Sequence, residues 1–180
     1  MSTITVYQDN APQRPLLNSS EYDVIRNTLN AVGVRFERWR ANREITKDMP
    51  QEQIIDAYRN EIERLQAEEG YVTVDTISLF SDNPQKDALR QKFLNEHTHS
   101  EDEVRFFVRG EGMFYLHIAD KVYMVRCCQD DLISVPANTT HWFDMGPQPN
   151  FTAVRLFNNP AGWVADFTGS DIAERFPRFE

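Results

Sequence analysis

The chain has 180 residues, 41% of them hydrophobic and 12% aromatic, enough for one domain that buries about 70% of the surface of its unfolded form. Nineteen basic residues against twenty-eight acidic ones leave a formal net charge of −9, which opposes a phosphate backbone or an anionic membrane surface and argues against nucleic acid or lipid partners. The start, MSTITVYQDN, has no basic segment leading into an apolar core, and nowhere do about eighteen apolar residues run together, so the expectation is a cytoplasmic protein.

Disorder is expected only near the N-terminus. Ser20 and Asp23 resemble a capping pair for a first helix, in which Ile25, Leu29 and Val32 fall at i, i+4 and i+7 before Gly33 offers a left-handed stop. VRFERW then reads as a strand. Asp48 and Pro50 open a longer helix lined on one side by Ile54, Ile55, Tyr58, Ile62 and Leu65, and Gly70 ends it. YVTVDTISLF is a second strand, and Asn83-Pro84 opens a third helix that carries Ala88 and Leu89 toward Phe93.

From His97 the helical period gives way to short β-branched and aromatic runs, EVRFFV, GMFYLHI, KVYMVRC, DLISVP and FTAVRLF, parted by Gly, Asp, Asn and Pro. Short strands at this spacing build a sandwich or barrel. No repeat or low-complexity linker divides the chain, so residues 1–180 read as one domain, an antiparallel barrel with helices outside it supplied mostly by the N-terminal half. Cys127 and Cys128 are adjacent, cannot comfortably reach normal disulfide geometry with each other, and read as reduced thiols.

Chemistry concentrates in His97-Thr98-His99-Ser100-Glu101-Asp102-Glu103-Val104-Arg105. In a strand, residues two apart share a face, so His97 and His99 present both imidazoles to one side, and Glu103 and Arg105 share that parity if no bulge intervenes. A polar segment of this kind is by itself an ordinary solvated loop. A third histidine, His141, follows a turn through Pro136 and Asn138, with Phe143 on its face, and a hairpin can return it to the first pair. Three imidazoles and one carboxylate form a borderline donor set suited to iron, nickel, manganese, copper or zinc. His117, in FYLHI, fits neither half and reads as a strand histidine satisfied by hydrogen bonds.

The spacing from His97 through Glu103 to Gly110, then from Pro136 through Asn138 to His141, resembles the two-part metal signature of the cupin barrels, although Gln91, Asp130 and Asn138 stand where the generic pattern has glycine. The resemblance implies a mainly β fold, a cupin-type antiparallel β-barrel (jelly roll), with the metal-binding motifs within residues 91–146. The runs GVRFERW, DNPQKDALRQKFLNEHTHSEDEVRFFV, DLISVPANTTHWFDMG and NFTAVRLFNNPAGWVADFTG go further and closely resemble the bacterial acireductone dioxygenase family of methionine salvage. That resemblance implies His97, His99, Glu103 and His141 as ligands to one Fe(II) or Ni(II), Arg105 as the charge that stabilises a substrate dianion, Glu96 as a residue linked to metal incorporation and Asp102 as one linked to a conformational relay.

The implied substrate is an acireductone, an enediol conjugated to a ketone, with a methylthioethyl tail, and the second substrate is dioxygen. Phe93, Phe106, Phe143 and Trp163 are candidates for the pocket wall, with core packing the alternative for each and most of all for Phe106, whose parity puts it opposite Arg105. No glycine-rich phosphate loop follows a strand, so no organic cofactor is expected, and the chain is expected to act as a monomer. Two other readings stay open: a cupin isomerase acting on a sugar phosphate, which would need more clustered basic residues than Arg105, and a non-catalytic barrel that binds a metal or a small molecule.

Overall fold

A computed structural model describes residues 1–180. The strands are β1 (Thr3–Gln8), β2 (Pro15–Ser19), β3 (Arg35–Arg38), β4 (Thr73–Phe80), β5 (His97–Thr98), β6 (Glu103–Ile118), β7 (Lys121–Cys128), β8 (Asp131–Val135), β9 (Thr140–Asp144), β10 (Asn150–Phe157) and β11 (Asp166–Phe167). The helices are α1 (Tyr22–Asn30), α2 (Gln51–Ala57), α3 (Arg59–Glu69), α4 (Lys86–Phe93) and the short α5 (Ile172–Arg175).

EVRFFV and GMFYLHI, read as two strands, are one. The first half of β6 pairs with β8 and β10, the second half with β7 and β9, all antiparallel. One sheet therefore runs β11-β5-β9-β6-β7-β1-β2, and the other runs β4-β10-β6-β8-β3. The strand turns from one sheet into the other around Gly110, whose φ is +73°, and a Cβ there would lie 1.7 Å from the Asn150 carbonyl oxygen. Only glycine fits that left-handed, crowded position. The barrel so formed is antiparallel and mainly β, with the helices outside.

Three apolar clusters share the sheets. Inside the barrel, Ile4, Leu116, Val125 and Ile133 pack with Phe107, Phe114 and Phe151, and Ile25 and Leu29 of α1 close one end. Outside the second sheet, Trp39, Ile54, Tyr58, Ile62 and Leu65 cover Val104, Phe106 and Leu132. Outside the first sheet, the C-terminal Ile172, Ala173 and Phe176 cover Tyr115 and Trp142.

Several expectations change on meeting the structure. The N-terminus is not disordered: β1 pairs with β7 over its whole length, and Ile4 is fully buried, because an alternating ITV segment satisfies an otherwise open sheet edge. The hydroxyl at the start of α1 belongs to Ser19, which accepts from the Glu21 N–H at 3.1 Å, rather than to Ser20. At the other end Val34 N–H donates to Leu29 O at 3.0 Å around Gly33, whose φ is +82°. The long helix is two, α2 and α3. Asn42 N–H takes the Ala57 carbonyl, Tyr58 leaves helical backbone with φ −117°, and its ring meets Phe106 at 4.6 Å. Core packing here overrides helical continuity.

One buried ion pair ties α4 and the C-terminus to β9. Asp144 is fully buried, and Arg90 of α4 reaches it in a forked pair at 2.8 and 3.1 Å, while Gly146 N–H and Phe179 N–H also donate to it. Burial pushes the Asp144 carboxyl up, but the Arg90 and main-chain hydrogen bonds outweigh it and hold the group below the usual carboxylate range. A depressed folded pKa gives stability that is complete above the unfolded value of about 4 and is lost as pH falls through the folded value. Arg90→Met is expected to lower stability by about 3 kcal/mol near neutrality, since it strands a buried carboxylate. Urea unfolding across pH should show the gap to wild type narrowing in acid, where Asp144 protonates in the variant first.

Candidate metal centre

His97, His99 and His141 are all buried, and their ligand nitrogens lie within 4.8 Å of one another. Two pieces of chain supply them. β5 holds His97 directly opposite His141 of β9, and His99 lies just past β5 in the turn whose carbonyl receives Asn138 N–H at 2.8 Å. Asn138 has φ +64° and Asp130 φ +76°, so two of the three positions where the generic pattern has glycine do take left-handed backbone, which Asn and Asp tolerate better than other side chains. Gln91 instead lies within α4.

Each ring is aimed by a main-chain carbonyl. Nδ1 of His97 donates to Asn95 O at 2.7 Å, Nδ1 of His141 to Thr139 O at 2.7 Å, and Nδ1 of His99 to Val164 O at 3.3 Å. A carbonyl only accepts, so each Nδ1 carries the proton and each neutral ring leaves its lone pair on Nε2. Burial, then the neighbouring His141, lower the His97 pKa to about 4, which keeps that ring neutral at ordinary pH.

Glu103, at the start of β6, closes the group. Its Oε2 stands 2.7 Å from His141 Nε2 and 3.3 Å from His99 Nε2. Burial pushes the Glu103 carboxyl up, but Arg105 and the two imidazoles outweigh it and hold it well below the usual range. The same contact raises the His141 pKa against the opposing effect of burial. A carboxylate pressed onto imidazole lone pairs requires a cation between them, either a proton on His141 or a metal ion in its place. The donor set, its burial and the preset tautomers fit a divalent ion of borderline character.

A cavity of about 340 Å³ opens onto this cluster. Its inner end carries His97, Glu103, Arg105 and Arg155, and its walls are apolar, among them Phe93, Phe107, Phe114, Phe143, Met145 and Phe151. Arg105 is mostly buried, with Nη2 3.4 Å from Glu103 Oε1 and its guanidinium 4.6 Å from the centre of the Trp163 ring. Arg155, paired with Asp75 at 2.6 Å, lies 4.7 Å from the same ring centre. Trp163 is thus a shared aromatic backing for two guanidinium groups.

The structure separates the sequence candidates. Phe93 and Phe143 line the cavity, whereas Phe106 and Trp163 do not. Phe106 is fully buried on the other face of β6, stacked on Trp39 at 4.8 Å, where the alternation of the strand sends it. Trp163 sits in a 3₁₀ turn, Pro160–Trp163, behind Arg105. Glu96 does not reach the cluster: it receives Thr168 Oγ1 at 2.9 Å and meets His117 Nδ1 at 2.6 Å. Asp102 accepts from Tyr71 Oη at 2.6 Å and from Ala137 N–H at 2.8 Å, pinning the segment between His99 and Glu103 to the Pro136 turn. His117 is satisfied by Glu96 and, at 3.3 Å, by Asp9. Sequence reasoning missed Phe107, which follows Arg105 at strand spacing. It also missed Phe114, Phe151 and Arg155, for which only the folded register supplies a signal.

Together these features define a mainly β barrel with a candidate centre for one metal ion at the foot of an apolar cavity. The family model described as ARD/ARD' family matches residues 3–165. An acireductone dioxygenase of Cronobacter sakazakii is 60% identical over 178 residues, covering 99% of both chains, and one of Pseudomonas aeruginosa is 60% identical over 180 residues, covering 100% of this chain and 99% of the relative. Among solved structures, the acireductone dioxygenase from Bacillus anthracis with cadmium ion in its active centre is 30% identical, covers 93% of this chain and 98% of its own, and superposes with a TM-score of 0.79. The chain belongs to the ARD/ARD' family.

The turn that backs Arg105 leaves no spare room: a Cβ on Gly162 would come 1.9 Å from Cγ and 2.7 Å from Cβ of Glu101. Gly162→Ala is expected to displace the turn at a cost of about 1–3 kcal/mol. The displacement should be visible as a changed tryptophan emission that Glu101→Gly restores.

Proposed function

We propose that this chain is an acireductone dioxygenase that holds one divalent ion through His97, His99, Glu103 and His141. The observation that carries this reading is the largely buried carboxylate set against imidazole nitrogens at the inner end of an apolar cavity, in a chain whose family membership is established. An ion held by these four residues would supply Lewis acidity toward the enediol.

The remaining chemistry belongs to the side chains. Arg105 places a charge that neutral pH cannot remove beside the position where the substrate becomes a dianion, and Trp163 holds that charge in place. The bonds from each Nδ1 to a main-chain carbonyl keep the ligand rings from rotating. Phe93, Phe107, Phe143 and Met145 exclude water and give the methylthioethyl tail aromatic and thioether surface to pack on. An electron-rich dianion reduces dioxygen without an external reductant, so no organic cofactor enters the proposal. The setting proposed is a cytoplasmic monomer acting on small molecules, and no helix is long and apolar enough to cross a membrane. A sugar-phosphate isomerase is less well supported, because the cations at the cavity's inner end are engaged by Glu103 and Asp75.

Alanine at His97, His99, Glu103 or His141 is expected to abolish tight binding of one ion per chain, read by elemental analysis, while His117→Ala retains it. Wild-type affinity should weaken as pH falls, and early, because the raised His141 pKa lets protons compete above the ordinary histidine range. Full metal and activity in His141→Ala would sink the ligand assignment. Arg105→Met is expected to keep its metal, to weaken the ultraviolet signature of the bound dianion and to lose about a hundredfold or more in turnover.

The choice of metal is proposed to select the product. Apoprotein reconstituted with Fe(II) is expected to give formate and 2-oxo-4-methylthiobutyrate. The Ni(II) form is expected to give formate, carbon monoxide and methylthiopropionate. Nickel outcompetes iron at such a site on the Irving–Williams order, so each form must be prepared separately. Equal carbon monoxide from both would refute metal selection, and no oxygen uptake from either would refute the dioxygenase reading.

A further inference from the structure

The substrate proposed above is a vinylogous acid, so at neutral pH it arrives as an anion, and it approaches a protein of net charge −9. The long-range field therefore opposes capture, and the entrance to the cavity has to reverse it locally. The charged groups lining the cavity are Lys92, Glu103, Arg105 and Arg155. Two of the three cations are committed at the inner end, Arg105 to Glu103 at 3.4 Å and Arg155 to Asp75 at 2.6 Å.

Lys92 differs from both. It is exposed, it lies in the last turn of α4, and it makes none of the ion pairs of the chain. The other cation of that turn, Arg90, points the opposite way into Asp144 at 2.8 Å, so the two basic residues of one helix end have separate tasks. The Lys92 ammonium lies 5.5 Å from the centre of the ring of Phe93, itself a wall of the cavity. That contact tethers the charge at the rim instead of leaving it to the solvent.

We propose that Lys92 is the anion-capturing residue of the cavity mouth, selecting the ionised enediol over neutral competitors and drawing it toward Arg105. It acts on approach and affinity and takes no part in the chemical step. The inference rests on the dioxygenase reading for the identity of the substrate, though the placement of the charge stands on the cavity alone.

Steady-state kinetics of the metal-loaded enzyme with synthetic acireductone test it. At low ionic strength Lys92→Met should lower kcat/KM about fivefold through KM, Lys92→Glu about 25-fold, and Lys92→Arg should restore it, with kcat within about a factor of two throughout. In about 0.5 M salt, where the Debye length falls to about 4 Å, the differences should collapse, which a merely structural role would not produce. A second arm needs no turnover. Ascorbate, a stable enediolate monoanion, is titrated anaerobically into each metal-loaded protein and followed by tryptophan fluorescence, and its Kd should weaken in the same order. If no variant, wild type included, consumes oxygen, the dioxygenase reading falls and the ascorbate ranking still decides the role of Lys92. Equal ascorbate binding in wild type and Lys92→Glu, or a loss confined to kcat, overturns the proposal.

Discussion

The meeting of the site's carboxylate and arginine with the cavity's apolar wall depends on a change of side within one strand. β6 contributes Glu103, Arg105 and Phe107 from one half and Phe114 from the other, and these face the same cavity although their numbers change from odd to even. A strict two-residue alternation would send Phe114 outward. The phase is reset between Val108 and Met113, where the pairing with β10 slips by a residue and Gly110 adopts a left-handed backbone against Asn150. The same bend lets β6 join both sheets, so the closure of the barrel and the convergence of the polar groups with the apolar wall have one cause.

An apolar barrel interior is a costly place for a carboxylate, and the surroundings of Glu103 are organised by that cost. His141, His99 and Arg105 all face it. Arg105 is in turn backed by Trp163, and Arg155, against the same ring, is neutralised by Asp75. Charge therefore alternates outward from the cluster, and each group is oriented by the next. Such a chain has little freedom to relax, and it leaves the proton shared by Glu103 and His141 as the component a metal ion would replace.

Rigid strands supply most of this geometry, yet the segment after β10 completes it. Val164 O receives His99 Nδ1, the ring of Phe167 meets His97 at 5.7 Å, and Thr168 binds Glu96 next to that histidine. The segment is itself held by Asn159, whose side chain accepts from Ala161 N–H at 3.0 Å, and by the contact of Gly162 with Glu101. The 96–99 segment is thus held along its length by one strap, which meets it through a loop carbonyl, an aromatic face and the short β11–β5 ladder.

Local spacing alone made part of this protein legible. The HxH pair, the carboxylate four residues on and a histidine after a Pro-Asn turn are contiguous patterns, and the backbone demands at Gly33, Gly70 and Asn138 follow from single residues with left-handed φ. The helix-rich first half and the strand-rich second half follow from periodicity. Tertiary structure decided the rest. It split the second helix at Tyr58 to fill a space over Phe106, brought the N-terminal strand onto β7, sent Phe106 away from the cavity, set Trp163 behind Arg105, and put Arg155 across from Arg105 in the ladder. The physical reason is the same throughout: the face a residue presents depends on the phase of its strand and on which distant segment covers it, and a bulge or a pairing partner far along the chain resets both without leaving a local mark.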